Sequence, residues 1–587
     1  MNVVNGDFQK RTRRRTRLLV FFLAVWSLAI AARLFQLQVL GHAQLSAEVE
    51  DQSRRPVKII PERGTIFDRQ GQILAQSLPA ASVYYNPVIG EPVDKQMKNV
   101  LRLKSILQLT DAEIERIARE IRNESHFIYV KRMTDLETAV KVKALAVGGI
   151  GTQDEKKRFY PHGSLASQVL GGVGTDNKGS GGVEYKFDEI LRGSEGMQII
   201  LRDNHKRTYH NETVQEPRPG QDIELAIDAT IQYIAEAALK RAVADQQAAW
   251  GTAIVSIPAT GEILAMANAP DYDPNDFPLA DSEAVANRAI RHLYEPGSTF
   301  KIVTASAALE NRRVSLSQTF DCRKGVIETA GGTIRDHKVF GILTFPEVIT
   351  ESSNVGTVQV GRQVGSSLLY QTVKAFGFGE KTGIELPAEA AGTVRPPSEW
   401  SRRSLDSISI GYEILASALQ VLEAANVIAN RGLYVPPHII KSVAGAPARH
   451  AARGAEPVRI ISEQAAQAMA DILERVVLEG TGKEAAIAGF AVAGKTGTSQ
   501  LFDFAQKTYQ SSRHIASFVG FVPAEKPALS IIVVLGDPKK DDYYGGLVAA
   551  PVFREIAIRS LRAKGIFPRQ DVGRTIIAAN AGKGKRP

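Results

Sequence analysis

A 15-residue apolar run, Leu18 to Ala32, follows directly on a basic cluster and splits the chain into a bilayer segment and a much larger remainder. Fifteen residues fall short of the roughly 17 to 25 that a crossing helix needs. Arg33 can snorkel, however, and the amphipathic Leu34-Phe35-Gln36-Leu37-Gln38-Val39-Leu40 prolongs the helix, so an anchor is expected over 18–40. Lys10, Arg11, Arg13, Arg14, Arg15 and Arg17 precede it, which places the N-terminus in the cytoplasm and the body outside, on the periplasmic side. A cleaved signal peptide is the competing reading, because Ala29-Ile30-Ala31 resembles a small-residue cleavage site. The apolar pattern runs on past that site and favours the uncleaved anchor. No later stretch is long enough to span; Leu529 to Leu535 has the length of a strand.

The net charge of +9 suggests a nucleic-acid partner only until it is located. Residues 1–17 carry +5 and the tail after Asn580 carries +3, which leaves +1 for everything between. The body is near neutral, and nucleic acid is disfavoured as a partner. The single cysteine, Cys322, excludes an intramolecular disulfide and any cysteine-rich metal site, and is expected to be structural. Ten scattered histidines show no ligand spacing, so no metal and no cofactor is expected.

At 587 residues the chain needs two or three modules. A cytoplasmic basic tail (1–17) and the anchor (18–40) lead into a mixed, non-catalytic module over 41–220, with a Gly-rich run from Gly171 to Gly182. Composition breaks at Glu216-Pro217-Arg218-Pro219-Gly220, and a regular domain follows over 221–570 before a second basic tail, 571–587. In that domain Asp228 is expected to cap a helix with apolar positions Ile231, Ile234, Ala235, Ala238, Leu239 and Ala242. Thr252–Ile257 and Glu262–Met266 read as a hairpin, and a long helical stretch comes next. Phe490–Thr498, Ala516–Val522 and Leu529–Leu535 read as three strands, and Pro551–Arg562 as a closing helix. The pattern predicts an α+β fold whose five-stranded, largely antiparallel sheet carries helices on both faces and a helical insert.

Three short motifs fall in that domain. Ser298-Thr299-Phe300-Lys301 sets a hydroxyl nucleophile one turn ahead of a base, near the positive end of a helix opened by Glu295-Pro296-Gly297. Chance alone supplies such a pair in a long chain, and its bland reading is an exposed helical couple. Ser352-Ser353-Asn354 offers a proton relay and a side-chain amide with both a donor and an acceptor; by itself it reads as a turn or a cap. Lys495-Thr496-Gly497-Thr498 ends a small-residue strand, with positive charge and hydroxyl donors for a carboxylate and a glycine that admits close backbone approach. Lys381-Thr382-Gly383 repeats the tripeptide in a turn-like setting, and Lys495 is chosen because two strand patterns follow it.

Ser-x-x-Lys, Ser-x-Asn and Lys-Thr-Gly in this order resemble the signature of penicillin-binding proteins and related β-lactamases. Nearly the whole chain is similar to the class B members, membrane-anchored peptidoglycan D,D-transpeptidases with an elongated pedestal or dimerisation-like module before the transpeptidase domain. Arg63-Gly64-Thr65-Ile66-Phe67-Asp68-Arg69, Arg158-Phe159-Tyr160-Pro161-His162-Gly163 and Gly181-Gly182-Val183-Glu184 resemble that module and are expected to hold it together. The Ser-x-Asn element, Glu295-Pro296-Gly297, and Tyr543-Tyr544-Gly545-Gly546 leading into Ala549-Ala550-Pro551-Val552-Phe553 resemble the septal, cell-division type. Elongation-type enzymes commonly carry Ser-x-Asp. Ile410-Gly411-Tyr412-Glu413 departs from the pattern, since the family often has glycine at the last position.

The resemblance implies Ser298 as nucleophile toward a D-Ala-D-Ala stem peptide, with Lys301 as a base that must be neutral near pH 7. Lys495 supplies nearby positive charge. Ser352 is implied as relay to the leaving amine and Asn354 as its orienter. The Ser298 and Thr498 backbone N–H groups are implied as the oxyanion hole, and Thr496, Gly497 and Thr498 as the seat of the substrate carboxylate. β-Lactams, a glycan-polymerising membrane protein and other division proteins are the implied partners, at the division site of the inner membrane. An elongation-type enzyme, or a membrane-bound β-lactam sensor or β-lactamase-like protein, remains the alternative.

Overall fold

The computed structural model describes residues 4–43, 54–88, 90–202, 208–279, 281–445, 456–503, 508–540 and 542–568. The tail expected over 571–587 lies outside them. They form two compact units, one of residues up to Glu62 with Gly193–Pro219, the other of Arg63–Arg192 with everything from Gly220 on.

The first unit begins with α1 (Val4–Phe35), continued by five further helical residues, Gln36–Leu40. Within it Lys10–Leu40 is one helix long and apolar enough to cross a membrane. Its apolar side chains are exposed along the whole length, the pattern of a helix that buries itself in lipid. The same unit holds a three-stranded antiparallel sheet of Arg54–Ile59, Gly196–Arg202 and Thr208–Gln215.

The second unit is organised by an antiparallel sheet of β1 (Trp250–Ser256), β2 (Ile263–Ala269), β3 (Ala493–Asp503), β4 (Thr508–Val522) and β5 (Leu529–Gly536), in the spatial order β2-β1-β5-β4-β3. All eight residues of β5 are buried, so both of its faces are packed. Alternate side chains go to opposite sides, as the two-residue strand period requires. Ala253, Val255, Phe518, Ile531 and Val533 meet Ile231 and Ala235 of α2 (Ala229–Asp245) and Phe553 and Ile556 of α7 (Ala550–Ala563). Ile254, Val519, Phe521, Ile532 and Val534 face the larger core. That core includes the helices inserted between β2 and β3: α3 (Lys301–Glu310), α4 (Asn354–Val364), α5 (Ala418–Ala429) and α6 (Glu463–Leu478). Each fully buried Val, Leu or Ile here contributes about 1.5 to 3 kcal/mol. Asp228 caps α2 as expected, accepting from the N–H groups of Thr230 and Ile231.

β3 and β4 run further than their apolar cores suggest. Their pairing continues past Thr498 to Leu501–Asp503 and Thr508–Gln510, with a register shift between Gln500 and Leu501. Those residues are polar or mixed and carry no two-residue hydrophobic pattern; the ladder itself extends them. A second sheet joins Ile66–Phe67, Ile73–Tyr85, Ile128–Thr134 and Ile150–Phe159 to Ile223–Leu225 and Ile440–Val443. Strands from both sides of the composition break at Gly220 therefore share one hydrogen-bonded sheet.

Arg63, Arg158 and Glu184, which stand in three separate stretches of sequence, meet beside that sheet. Glu184 is fully buried and accepts from Arg63 Nε at 2.7 Å and Arg158 Nε at 2.6 Å, while Arg63 Nη1 reaches Asp188 at 2.7 Å. Arg158 Nη1 also donates to the Gly64 carbonyl. Removing the shared anion leaves Arg158 with only a backbone carbonyl and Arg63 with only Asp188 as charged partner, a loss of about 3 to 5 kcal/mol for one broken buried pair. Glu184→Ala is therefore expected to lower unfolding stability by at least that range, read from denaturant midpoints; a change below about 1 kcal/mol, the worth of an exposed pair, would show the cluster to be dispensable.

Candidate active site

Ser298 does not sit on the α-helix proper. Gly297–Phe300 form a 3-10 turn, and α3 starts at Lys301. Residues three apart eclipse in a 3-10 turn, so the expected shared side of Ser298 and Lys301 is kept in a tighter geometry. Gly297 has φ +55°, and a Cβ there would lie 2.9 Å from the Thr498 carbonyl oxygen. Glycine is required on both counts. β3 is the outer strand of its sheet and packs against this turn. Gly497 permits the approach, since a Cβ on it would fall 2.4 Å from Ser517 Oγ and 2.8 Å from Thr299 Cγ2.

Lys301 is fully buried, and its ammonium does not pair with Ser298. Nζ donates to the Ser352 carbonyl at 2.7 Å, to Asn354 Oδ1 at 2.8 Å and to Ser352 Oγ at 3.3 Å. Lys495, also fully buried, donates from Nζ to the same Ser352 Oγ at 3.0 Å and to the Thr496 carbonyl at 3.2 Å. One hydroxyl thus stands between two lysines drawn from residues 194 positions apart in the chain. Ser352 occupies the left-handed region, φ +57°, a conformation that costs a non-glycine residue about 1 to 3 kcal/mol. The strain sits where the hydroxyl is placed. Ser298, half-buried, makes no side-chain hydrogen bond among the described residues.

Burial pushes the Lys301 ammonium down to about 7, against a smaller opposing pull from Asp336. Lys495 is held well below the ordinary ammonium range, by burial first and by repulsion from Lys301 second. Sequence reasoning assigned part of the Lys301 shift to the charge of Lys495. Desolvation is the dominant cause for both, and the repulsion between them enters at Lys495 and not at Lys301.

Asp336 is the residue that sequence reasoning missed. Its carboxylate accepts from the N–H groups of Asn354 at 2.5 Å and Val355 at 3.1 Å and from Ser353 Oγ at 2.9 Å. An anion at the N-terminus of α4 is favoured by the helix dipole, and here it also fixes the Ser352-Ser353-Asn354 segment. Nothing local in Arg335-Asp336-His337 signals this, because the partner helix starts 18 residues later. Asn354 is locked at both ends of its amide: Oδ1 accepts from Lys301 and Nδ2 donates to the Arg335 carbonyl at 2.9 Å. Cys322 is buried beneath, within 3.4 Å of Ser353 Oγ, and burial pushes its thiol up.

The remaining expected residues line β3. Thr496 Oγ1 lies 2.8 Å from Thr481 Oγ1, and Thr498 Oγ1 accepts from the Gly545 N–H at 3.1 Å. The second Lys-Thr-Gly is engaged elsewhere: Thr382, through N–H and Oγ1, and Gly383, through N–H, all donate to the Glu389 carboxylate. It joins no strand.

Residues 251–557 match the penicillin-binding protein transpeptidase domain, and residues 58–225 match the penicillin-binding protein dimerisation domain. The chain belongs to the penicillin-binding protein transpeptidases. It is 32% identical to stage V sporulation protein D of Bacillus subtilis over 95% of this chain and 87% of that protein. It is 31% identical to the peptidoglycan D,D-transpeptidase FtsI of Escherichia coli K12, over 92% of this chain and 90% of that one. The crystal structure of penicillin-binding protein 3 from Mycobacterium tuberculosis complexed with ampicillin superposes with a TM-score of 0.68 at 27% identity, covering 88% of this chain and 98% of that one. The resemblance expected from the three motifs is thereby established: a class B, serine-type peptidoglycan D,D-transpeptidase.

The buried lysines carry a stability signature. Between about 7 and 10.5 the unfolded chain holds the Lys301 proton and the folded chain does not, so stability rises with pH across that window. Substituting Lys301→Met should flatten this rise by about 4 to 5 kcal/mol, at 1.36 kcal/mol per pKa unit. Urea midpoints of both proteins across pH 6 to 11 check it; parallel curves would refute a depressed lysine.

Proposed function

We propose that this penicillin-binding protein cross-links peptidoglycan at the division septum through an ester on Ser298. Neutral Lys301 takes the Ser298 proton as Oγ attacks the carbonyl between two D-alanines. The C–N bond then breaks, and Ser352 passes a proton to the leaving D-Ala amine. The amine of a neighbouring stem attacks the ester, its proton returns through the same groups, and Ser298 is released. Lys495, Thr496, Gly497 and Thr498 form the seat of the donor's carboxylate, and the N–H groups of Ser298 and Thr498 the oxyanion hole. Asn354 orients Lys301.

The observation that carries this reading is Ser352 Oγ held within 3.3 Å of Lys301 Nζ and 3.0 Å of Lys495 Nζ. A hydroxyl between a base that is neutral near pH 7 and a second lysine is a ready proton path. Similarity to penicillin-binding protein 3 crystallised with ampicillin and with aztreonam supports covalent inhibition by β-lactams. Similarity to FtsI, together with Ser-x-Asn in place of Ser-x-Asp, supports the septal role and division-protein partners, a glycan polymerase among them. The basic residues in α1 ahead of its apolar run support a cytoplasmic N-terminus and an outer body, with residues 41–220 as the non-catalytic module and 221–570 as the transpeptidase domain.

Fluorescent penicillin is expected to label the protein covalently, and Ser298→Ala to abolish labelling; persistent labelling would sink the assignment. Lys301→Ala should slow acylation by about 10² to 10⁴ and Lys495→Ala by about 10² to 10³, while Lys381→Ala leaves it within twofold. The acylation rate should rise through pH 7 and then level, as Lys301 loses its proton. Depletion in cells separates the roles: filaments support septation, round cells elongation. Release of D-Ala from a stem-peptide mimic separates a transferase from a sensor.

A further inference from the structure

Three residues before Ser298 lies a carboxylate that none of these steps uses. Glu295 is 8% exposed. Its Oε1 accepts from the Glu413 N–H at 2.8 Å and from the Tyr509 hydroxyl at 3.0 Å, and its Oε2 is buried with no partner. The segment that carries it is laced to the 411–416 loop: Gly297 N–H donates to the Gly411 carbonyl, and Tyr294 and Ala416 exchange both backbone bonds, all at 3.0 Å. Gly411 comes so close that a Cβ on it would overlap the Gly297 oxygen. On the other side Tyr509 belongs to the extended end of β4, where its ring meets Tyr412 of the 411–413 loop edge-on at 5.7 Å. Glu295 therefore sits where the turn under Ser298, the 411–413 loop and the prolonged β3–β4 hairpin come together.

We propose that Glu295 is a positioning residue: its carboxyl ties the turn carrying Ser298 to the 411–413 loop and to the β3–β4 hairpin, and so sets the nucleophile against Thr498. The proposal rests on Ser298 being the acylated residue. A carboxylate with one oxygen unpaired in the interior is a poor choice for stability alone. Its first cost is desolvation, which raises the carboxyl to about 7, and the Glu413 carboxylate adds to that. Glu413 adds strain of its own. It stands in the left-handed region at φ +59°, and its side chain is held by Arg395 and by Ser404 Oγ at 2.7 Å. These two costs coincide at the one point where the nucleophile's turn is fastened. Misplacing a reacting atom by about 1 Å costs on the order of 10²-fold in rate, which is the gain that offsets them.

The test is β-lactam acylation of the full-length protein in detergent, resolved into a non-covalent dissociation constant and a first-order acylation rate. Glu295→Ala is expected to lower the first-order rate 10- to 100-fold with the dissociation constant within twofold. Glu295→Gln keeps an acceptor oxygen for both donors and should stay within threefold of wild type. Tyr509→Phe removes one donor and should lose two- to fivefold. Wild-type acylation by Glu295→Ala would overturn the proposal, as would a loss in affinity instead of rate, or a Glu295→Gln variant as slow as Glu295→Ala. Should Glu295→Ala fail to fold, Glu295→Gln and Tyr509→Phe decide by the same criteria. Labelling that persists in Ser298→Ala would instead mean that the site reading itself is wrong.

Discussion

Two lysine ammoniums taken out of water around one serine hydroxyl are the condition on which the rest of the site depends. Isolated, either ammonium would be intolerable in the interior. The fold makes the pair tolerable by supplying carbonyl and amide oxygens to Lys301, by lowering both lysines through burial, and by the added repulsion of Lys301 on Lys495. Every nearby device serves that arrangement. Ser352 adopts a strained backbone to present both its carbonyl and its hydroxyl, Asp336 pins the segment from beneath, and two glycines let an edge strand close against a 3-10 turn. The same burial that costs stability at neutral pH brings the Lys301 ammonium to the edge of losing its proton there.

Much of this could be read from the chain because the chemistry is written in short strings. Ser298-x-x-Lys301, Ser352-x-Asn354 and Lys495-Thr496-Gly497 each carry local geometry, and the strand patterns after Lys495 separated it from the copy at Lys381. The apolar face of α2, its Asp228 cap and the almost wholly apolar β5 follow rules of period and capping that act within a few residues. What escaped is long-range. Asp336 acts across 18 residues and Glu295 across 118 to Glu413 and 214 to Tyr509, and no neighbour in sequence marks either. The prolonged β3–β4 ladder was invisible for a different reason: backbone pairing, not side-chain burial, holds it, so no hydrophobic alternation betrays it. The 3-10 geometry at Ser298 arises from Gly297 being pressed on Thr498, a contact that exists only once the sheet is built.

Buried or half-buried carboxylates recur as fasteners in this molecule. Glu184 gathers Arg63 and Arg158, Asp336 gathers a helix end, and Glu295 gathers a loop and a hairpin. In each case one carboxylate joins segments far apart in sequence. Apolar contacts tolerate sliding, whereas a carboxylate with fixed donors admits one register.

The sheet that takes Ile66–Phe67 from one side of Gly220 and Ile223–Leu225 from the other has a consequence for how the molecule can be divided. A fragment cut at Gly220 keeps all three motifs yet loses the parallel partner of Ile223–Leu225, leaving on Ile440–Val443 a two-strand remnant with an open apolar edge. Bare edges recruit other chains. Sequence composition and hydrogen-bonded continuity thus place the seam differently, and a soluble catalytic fragment has to carry the Arg63–Arg69 stretch along with it.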